Sequence, residues 1–216
     1  MAILVPSILS KDPEEIRGRL EFLETIPEVR AVQLDFADGK FVPNSLPAPR
    51  EIGELETKLE LEAHLMVMEP QRYLHDLEAL GVKTAFIHYE SFYTHEALQN
   101  TLENARQMGL LVGLAINPQT DIYIFDYFDQ YVDEALLMGV NPGFQGQAFI
   151  PETLARAHNL EKKHGHVIIE VDGGVKLENV EAIVAHGADK VNVGSGIWQS
   201  PDPKATIYKF LEKLKK

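Results

Sequence analysis

The chain has no cysteine among its 216 residues. Disulfides, thiolate nucleophiles and cysteine-ligated metals are therefore excluded, and no oxidising compartment is needed. Basic residues are scarce beside acidic ones, 20 Lys and Arg against 33 Asp and Glu, for a formal charge of -13. A field of that sign repels nucleic acid and anionic membranes, so neither is expected as a partner. A small anionic substrate stays open, because local backbone amides outweigh net charge at short range. No apolar run approaches the roughly 18 residues of a membrane span. The start, Met1-Ala2-Ile3-Leu4-Val5-Pro6, lacks a basic stretch leading into a long apolar one. A soluble cytoplasmic protein is the expectation. No shift of composition marks a linker, so residues 1–216 are read as one domain.

What is present is a repeat. A helical stretch ends in Gly and an apolar strand follows within a few residues, at Gly81, Gly109, Gly165 and Gly187. Gly after a helix is expected in the left-handed conformation that other residues resist. Strands are read at 3–8, 31–35, 59–66, 84–88, 110–116, 134–140, 167–171 and 190–193. Helices are read at 13–24, 70–80, 95–108, 151–163, 178–186 and 203–215. Strands apolar on both faces, alternating with helices, form a parallel sheet covered by helices. About eight such units, in a length somewhat under the ~250 residues typical of the fold, predict a TIM (β/α)8 barrel. An open doubly wound sheet is the competitor, but no Gly-x-Gly-x-x-Gly opens an early helix to support it.

In a barrel the C-terminal strand ends share one mouth, and the chemistry sits there. Two aspartates stand at those ends. Asp35 follows Val29-Arg30-Ala31-Val32-Gln33-Leu34, and Asp172 follows Val167-Ile168-Ile169-Glu170-Val171. A carboxylate at the end of a buried strand loses hydration, so it needs a proton, a partner or a task. Two of them facing one cavity can take a proton from one face of a carbon and return one to the other. Other polar residues at the expected ends are Ser7, Gln33, His64, His88, Asn117, Asn141 and the turn Gly194-Ser195-Gly196. Gly173-Gly174 and Gly194-Ser195 follow consecutive strands, which suits a phosphate cradle of backbone N–H groups. The segment Asn141-Pro142-Gly143-Phe144-Gln145-Gly146-Gln147 reads as a flap, with Gly143 and Gly146 permitting motion and Phe144 covering a ligand. His75, His95, His164, His166 and His186 fall on or near expected helices and are read as surface. Tyr123, Phe125, Tyr127, Phe128 and Tyr131 gather in the connection that follows the fifth strand. Packing explains most of them, and contact with a second copy the rest, so a homo-oligomer is expected.

Several segments together resemble the ribulose-phosphate 3-epimerase family over nearly the whole chain. They are Pro6-Ser7-Ile8-Leu9-Ser10, Asp38-Gly39-Lys40-Phe41-Val42-Pro43-Asn44, Ala63-His64-Leu65-Met66, Met138-Gly139-Val140-Asn141-Pro142-Gly143-Phe144, Glu170-Val171-Asp172-Gly173-Gly174 and Gly194-Ser195. The resemblance implies a TIM-barrel isomerase of the pentose phosphate pathway that interconverts D-ribulose 5-phosphate and D-xylulose 5-phosphate. It implies that Asp35 and Asp172 are the acid/base pair. Ser7, His64, Met66 and Met138 would then line the sugar pocket, and Gly173, Gly174, Gly194 and Ser195 would hold phosphate. It also implies one divalent metal (zinc, iron, manganese or cobalt) on two histidines and two aspartates, to which Asp35, His64 and Asp172 correspond.

The chain departs from the family inside this site. Where the family has His-x-Asp-x-Met-Asp-Gly, it reads Gln33-Leu34-Asp35-Phe36-Ala37-Asp38-Gly39. Gln33 is either a weak ligand through its amide oxygen, tilting preference toward manganese or magnesium, or an N–H donor beside a weak or absent metal. Ala37 is expected to free space beside the sugar. Two alternatives follow: an epimerase of another ketose phosphate such as allulose 6-phosphate, or a non-catalytic phosphosugar-binding relative. A decarboxylase of related shape would need Asp-x-Lys-x-x-Asp, and Asp35-Phe36-Ala37-Asp38 lacks the lysine. A Schiff-base aldolase would want a lysine at a strand's C-terminal end, whereas Lys190 begins its strand.

Overall fold

The computed structural model describes residues 2–215. Eight parallel strands pair in sequence order and close on themselves: β1 (Ile3–Ile8), β2 (Ala31–Ala37), β3 (Glu60–Met66), β4 (Val82–His88), β5 (Leu111–Ile116), β6 (Glu134–Met138), β7 (Ile168–Asp172) and β8 (Lys190–Val193). The helices are α1 (Pro13–Glu24), α2 (Pro49–Ile52), α3 (Leu74–Ala79), α4 (His95–Gln107), α5 (Phe125–Phe128), α6 (Glu152–His164), α7 (Val180–Ala185), α8 (Ser195–Trp198) and α9 (Pro203–Leu214). This is the TIM barrel that the repeat predicts.

Local chemistry explains where the long helices begin. Asp12 accepts the N–H of Glu14 and Pro13 takes the first turn of α1; Asp202 and Pro203 do the same for α9. Thr94 caps α4 by accepting from Ala97. The expected helix at 70–80 splits into a tight turn at Pro70–Arg72 followed by α3. Gly81, Gly109 and Gly187 end their helices at positive φ as expected, but Gly165 does not. Its φ is -65, and it is glycine for another reason: a Cβ there would lie 2.7 Å from the Glu161 carbonyl oxygen.

Two cores result from strand alternation. Outward residues such as Leu34, Leu65, Leu114, Leu137 and Val191 pack against Ile16, Leu98, Leu160, Ile183 and Ile207 of the helices. Each fully buried aliphatic of this kind contributes roughly 1.5–3 kcal/mol. Inside the barrel, Phe86, Ala115, Leu136, Met138 and Val140 form a smaller apolar cluster. Many of the remaining interior positions are polar and fall into two layers, because inward residues recur every second position. β6 ends earlier than expected: Gly139 donates to the Asp172 carbonyl and accepts from Ile150, which turns the chain into the flap. Trp198 Nε1 donates to the Ser7 carbonyl at 2.7 Å and fastens α8 to the first strand. His164, read as surface, is buried; its two ring nitrogens meet Asp126 and Asp129 at 2.9 and 3.0 Å. Among the described residues, no helix is long and apolar enough to cross a membrane.

Candidate active site at the C-terminal mouth

Parallel register brings the site together. Asp35 is the register partner of His64, and Asp172 that of Met138 and Asn192. The two aspartates, on β2 and β7, meet over two shared partners. Gln33 Nε2 donates to Asp35 Oδ1 at 2.8 Å and to Asp172 Oδ2 at 3.0 Å. His64 Nδ1 lies 3.2 Å from Asp35 Oδ1 and 3.3 Å from Asp172 Oδ2.

Above them opens a cleft of about 500 Å³, its open mouth included. Ser7, Asp35, His64, Met66, Met138, Gly143, Phe144, Gly146, Asp172, Gly173, Gly174, Gly194 and Ser195 all line it. Gln33 is fully buried beneath the carboxylates and does not reach the cleft wall. Neither does Ala37, which packs with Val42, Leu46 and Met66. The room expected beside the sugar is therefore absent; the smaller side chain is absorbed by packing behind Met66. Asn117 and Asn141 also stand off the wall. The Asn117 N–H goes to Glu90, and the exposed Asn141 accepts from Gln119.

A chain of hydrogen bonds runs outward from the carboxylates. His64 Nε2 is 2.8 Å from His88 Nε2, and His88 Nδ1 is 3.0 Å from Glu90 Oε2. Glu90 Oε1 accepts from the Asn117 N–H at 2.7 Å and from the Thr120 hydroxyl. Burial pushes Glu90 up, but His88 and these donors outweigh it and hold the carboxyl below its ordinary range. Burial lowers His88, against the pull of Glu90. An ionised Glu90 accepts a hydrogen bond from Nδ1–H of a neutral His88. The His88 Nε2 lone pair then accepts from His64 Nε2–H, which assigns the His64 tautomer. A neutral His64 so held would aim its Nδ1 lone pair at two carboxylates, a repulsive arrangement unless a proton or a cation lies between. Burial opposes charge on this ring, and the hydrogen bonds and charges of Asp172 and Asp35 outweigh it, raising its pKa to about 9. Burial also raises the Asp35 carboxyl, against the His64 hydrogen bond and with the Asp172 charge adding to it.

These residues fit a divalent cation. Asp35, His64 and Asp172 each offer a donor atom within 4.8 Å of the others, two carboxylate oxygens and an imidazole nitrogen that suit first-row metals. Gln33 Oε1 is buried without a partner, while its Nε2 is the end that faces the carboxylates.

The glycines are needed for close approach. At Gly174, φ is +70 and a Cβ would lie 2.6 Å from Phe149 Cα. At Gly194, a Cβ would lie 2.7 Å from both Ser7 Oγ and Gln145 Nε2. The loops after β7 and β8 and the flap thus converge on one end of the cleft. Asp38 shapes the neighbouring loop by accepting from the N–H groups of Lys40, Phe41 and Met68. Asn44 Nδ2 then ties that loop to the flap at the Gly143 carbonyl, 2.8 Å away.

Sequence reasoning missed Glu90, Asn44 and Gln145, and saw His88 only as a polar strand end. The spacing His88-x-Glu90 was a usable signal for the outer pair, since both residues fall at the C-terminal end of one strand and the turn that leaves it. Nothing in the sequence around Gln145 marks which way its amide points.

Comparison with known proteins agrees with this geometry. The sequence profile of the ribulose-phosphate 3 epimerase family matches residues 3–198. The ribulose-phosphate 3-epimerase of Escherichia coli strain K12 is 34% identical over 221 residues, covering 99% of this chain and 96% of its own. That of Synechocystis sp. is 34% identical over 211 residues, with 93% and 89% covered. Among solved structures, 3-hexulose-6-phosphate synthase from Salmonella typhimurium superposes with a TM-score of 0.71 at 15% identity, covering 99% of this chain and 98% of that one; at that identity the likeness speaks for the fold alone. With the profile spanning most of the chain and full-length relatives above 30% identity, the chain belongs to the ribulose-phosphate 3-epimerase family and is an epimerase.

Proposed function

We infer that the protein inverts C3 of a ketopentose phosphate, interconverting D-ribulose 5-phosphate and D-xylulose 5-phosphate. The observation that carries this reading is the meeting of Asp35 and Asp172 over one amide and one imidazole at the floor of the cleft. C3 adjoins the ketone, so its proton can pass to a carboxylate and leave an enediolate. Asp35, whose burial favours the protonated form, is assigned the part of the acid in this direction. Asp172 takes the C3 proton from one face, and Asp35 delivers its own to the other; the reverse reaction exchanges the roles. Holding two carboxylates in unlike protonation states is how one site performs both acid and base work. Both N–H groups of Gln33 are spent on the pair, so Gln33 serves as their donor and not as a metal ligand. Asp35, His64 and Asp172 would hold the divalent metal, which when bound supplies Lewis-acid stabilisation of negative charge developing on the substrate oxygens. Met66 and Met138 flank the sugar, Ser7 reaches its polar edge, and Gly173, Gly174, Gly194 and Ser195 hold the phosphate. Gly143 and Gly146 let the flap close, with Phe144 as its cover, and the reaction is shielded from water.

The test is turnover in D2O. Wild-type protein given ribulose 5-phosphate is expected to incorporate deuterium at C3 and to form xylulose 5-phosphate. Absence of both, with and without added manganese, would leave a phosphosugar-binding barrel without this reaction. Ala37 does not line the cleft, which removes the observation that favoured the six-carbon alternative; competing kinetics on both sugars separate the two. We place the protein in the cytoplasm as a homo-oligomer that uses the exposed Tyr123 and Tyr127; a monomeric mass by analytical ultracentrifugation would remove that assignment.

A further inference from the structure

Two glutamines of the flap are used in opposite ways. Gln147 Nε2 donates to the carbonyls of Asn141 and Phe144, at 2.6 and 2.9 Å, and so closes the flap's own turn. Gln145 Nε2 is buried and has no partner. The same side chain lines the cleft, and its nitrogen sits over Gly194 beside Ser7 Oγ. A buried N–H group left unpaired is costly and rare, so it calls for an acceptor. The cleft shows which one. No Lys or Arg lines it, and His64 is engaged by Asp35 and Asp172, so an anion held at the glycine end depends on neutral donors. Gly173, Gly174, Gly194 and Ser195 surround the same end, and there an acceptor-rich phosphoryl group meets backbone N–H groups.

We propose that Gln145 is a substrate-binding residue whose side-chain amide donates to a phosphoryl oxygen of the sugar phosphate. Because the residue belongs to the flap, the same hydrogen bond draws the flap over the ligand and couples phosphate binding to closure. Gln147 shapes the flap and Gln145 reads the ligand. The inference rests on the reading of the cleft as a sugar-phosphate site.

The experiment is calorimetric titration with inorganic phosphate, beside steady-state kinetics on ribulose 5-phosphate, for wild type, Gln145→Ala and Gln145→Glu. Gln145→Ala is expected to weaken phosphate binding about tenfold, as loss of a hydrogen bond to a charged group does, and to raise KM more than it lowers kcat. Gln145→Glu keeps the size, removes the donor and adds a like charge, so it is expected to bind phosphate worse than Gln145→Ala. Phosphate affinity in Gln145→Ala within twofold of wild type would overturn the proposal. So would Gln145→Glu binding better than Gln145→Ala, because that order means the side chain merely packs. If the variants lose phosphate while wild type turns over no ketopentose, the proposal stands and the epimerisation reading falls. If turnover is normal and phosphate binding is untouched in the variants, the proposal alone falls.

Discussion

Two acidic layers lie inside one barrel, two residues apart on the same strands. Glu62 precedes His64 on β3, Glu170 precedes Asp172 on β7, and Lys190 precedes Asn192 on β8. In the lower layer, Lys190 Nζ lies 2.6 Å from Glu62 Oε1, 2.6 Å from Glu134 Oε2 and 4.0 Å from Glu170 Oε2. In the upper layer no lysine or arginine stands beside Asp35 and Asp172; an imidazole and a neutral amide do. The lower carboxylates have a fixed cation on a covalent tether, and Lys190 and Glu62 themselves border the hollow at the N-terminal mouth. The upper pair has partners that can gain or lose protons, and it floors an open cleft. A carboxylate answered by a tethered ammonium holds structure together, and one answered by a titratable ring is free to move protons. The conserved logic of the fold, activity at the C-terminal ends and stability at the N-terminal ends, here takes the form of which layer carries its own cation.

Substitutions in the two layers should therefore fail in different ways. Asp35→Asn and Asp172→Asn are each expected to lower deuterium exchange at C3 by about 10³-fold or more, the scale of a lost acid or base, while the thermal midpoint moves little. Exchange at the wild-type rate in either variant would erase the distinction between the layers. Lys190→Met should do the reverse. Glu62 and Glu134, each 2.6 Å from the ammonium, would be left without their cation, and the expected loss of stability is about 3–5 kcal/mol, read from urea denaturation. The protein that remains folded should keep its kcat. An unchanged denaturation midpoint would mean that the lower layer is neutralised by something other than Lys190.

The barrel and the upper layer were largely legible in the sequence, for physical reasons. Apolar runs and helix-ending glycines mark the strands, and a carboxylate after such a run stands out as a cost that needs a cause. The lower layer was not legible, although Glu62, Glu134, Glu170 and Lys190 were all in view. Each reads as an ordinary charge near the start of a strand, and only closure of the barrel brings four strands close enough for one ammonium to serve them. The direction of the Gln145 amide was hidden for the same reason, since it depends on Gly194 in a loop that follows another strand. Ala37 misled because absence of a side chain in a motif says nothing about whether the wall or the packing behind it takes up the space.

A subtler contrast concerns the outer hydrogen bonds of the upper layer. Glu90 fixes His88, and His88 fixes the His64 ring with Nδ1 toward the carboxylates. Outer partners of a metal-binding histidine typically govern 10–100-fold in affinity. Glu90→Gln is expected to weaken manganese binding by about that factor, measured by calorimetry, and to shift the ¹⁵N resonances of His64 toward a mixture of tautomers. Unchanged affinity together with unchanged resonances would show that the ring is held by Asp35 and Asp172 alone.

The smallest expected effect tests whether the lower layer is as inert as its lysine suggests. Burial pushes Glu170 well above the ordinary carboxyl range, the charges of Glu62 and Glu134 add to this, and Lys190 opposes it. A free glutamate titrates near 4.5, so below that pH the group is protonated in both folded and unfolded chains. As pH rises above it, the unfolded chain releases the proton and the folded one keeps it. The contribution of Glu170 to stability is then lost progressively, at up to about 1.4 kcal/mol per pH unit, until its own raised pKa is reached. The amide in Glu170→Gln does not titrate. It can still accept from Asn192 Nδ2, as Glu170 Oε1 does at 3.2 Å. It also brings N–H donors to a layer in which Glu62 Oε2 is buried and unpartnered. Wild type should therefore lose ground to the variant between pH 5 and pH 8, by about 1 kcal/mol or more at the upper end, in urea midpoints measured at several pH values. Parallel curves, or a variant that falls behind as pH rises, would mean that Glu170 is ionised and paired with Lys190 like its two neighbours, and that all three glutamates of the lower layer share one cation.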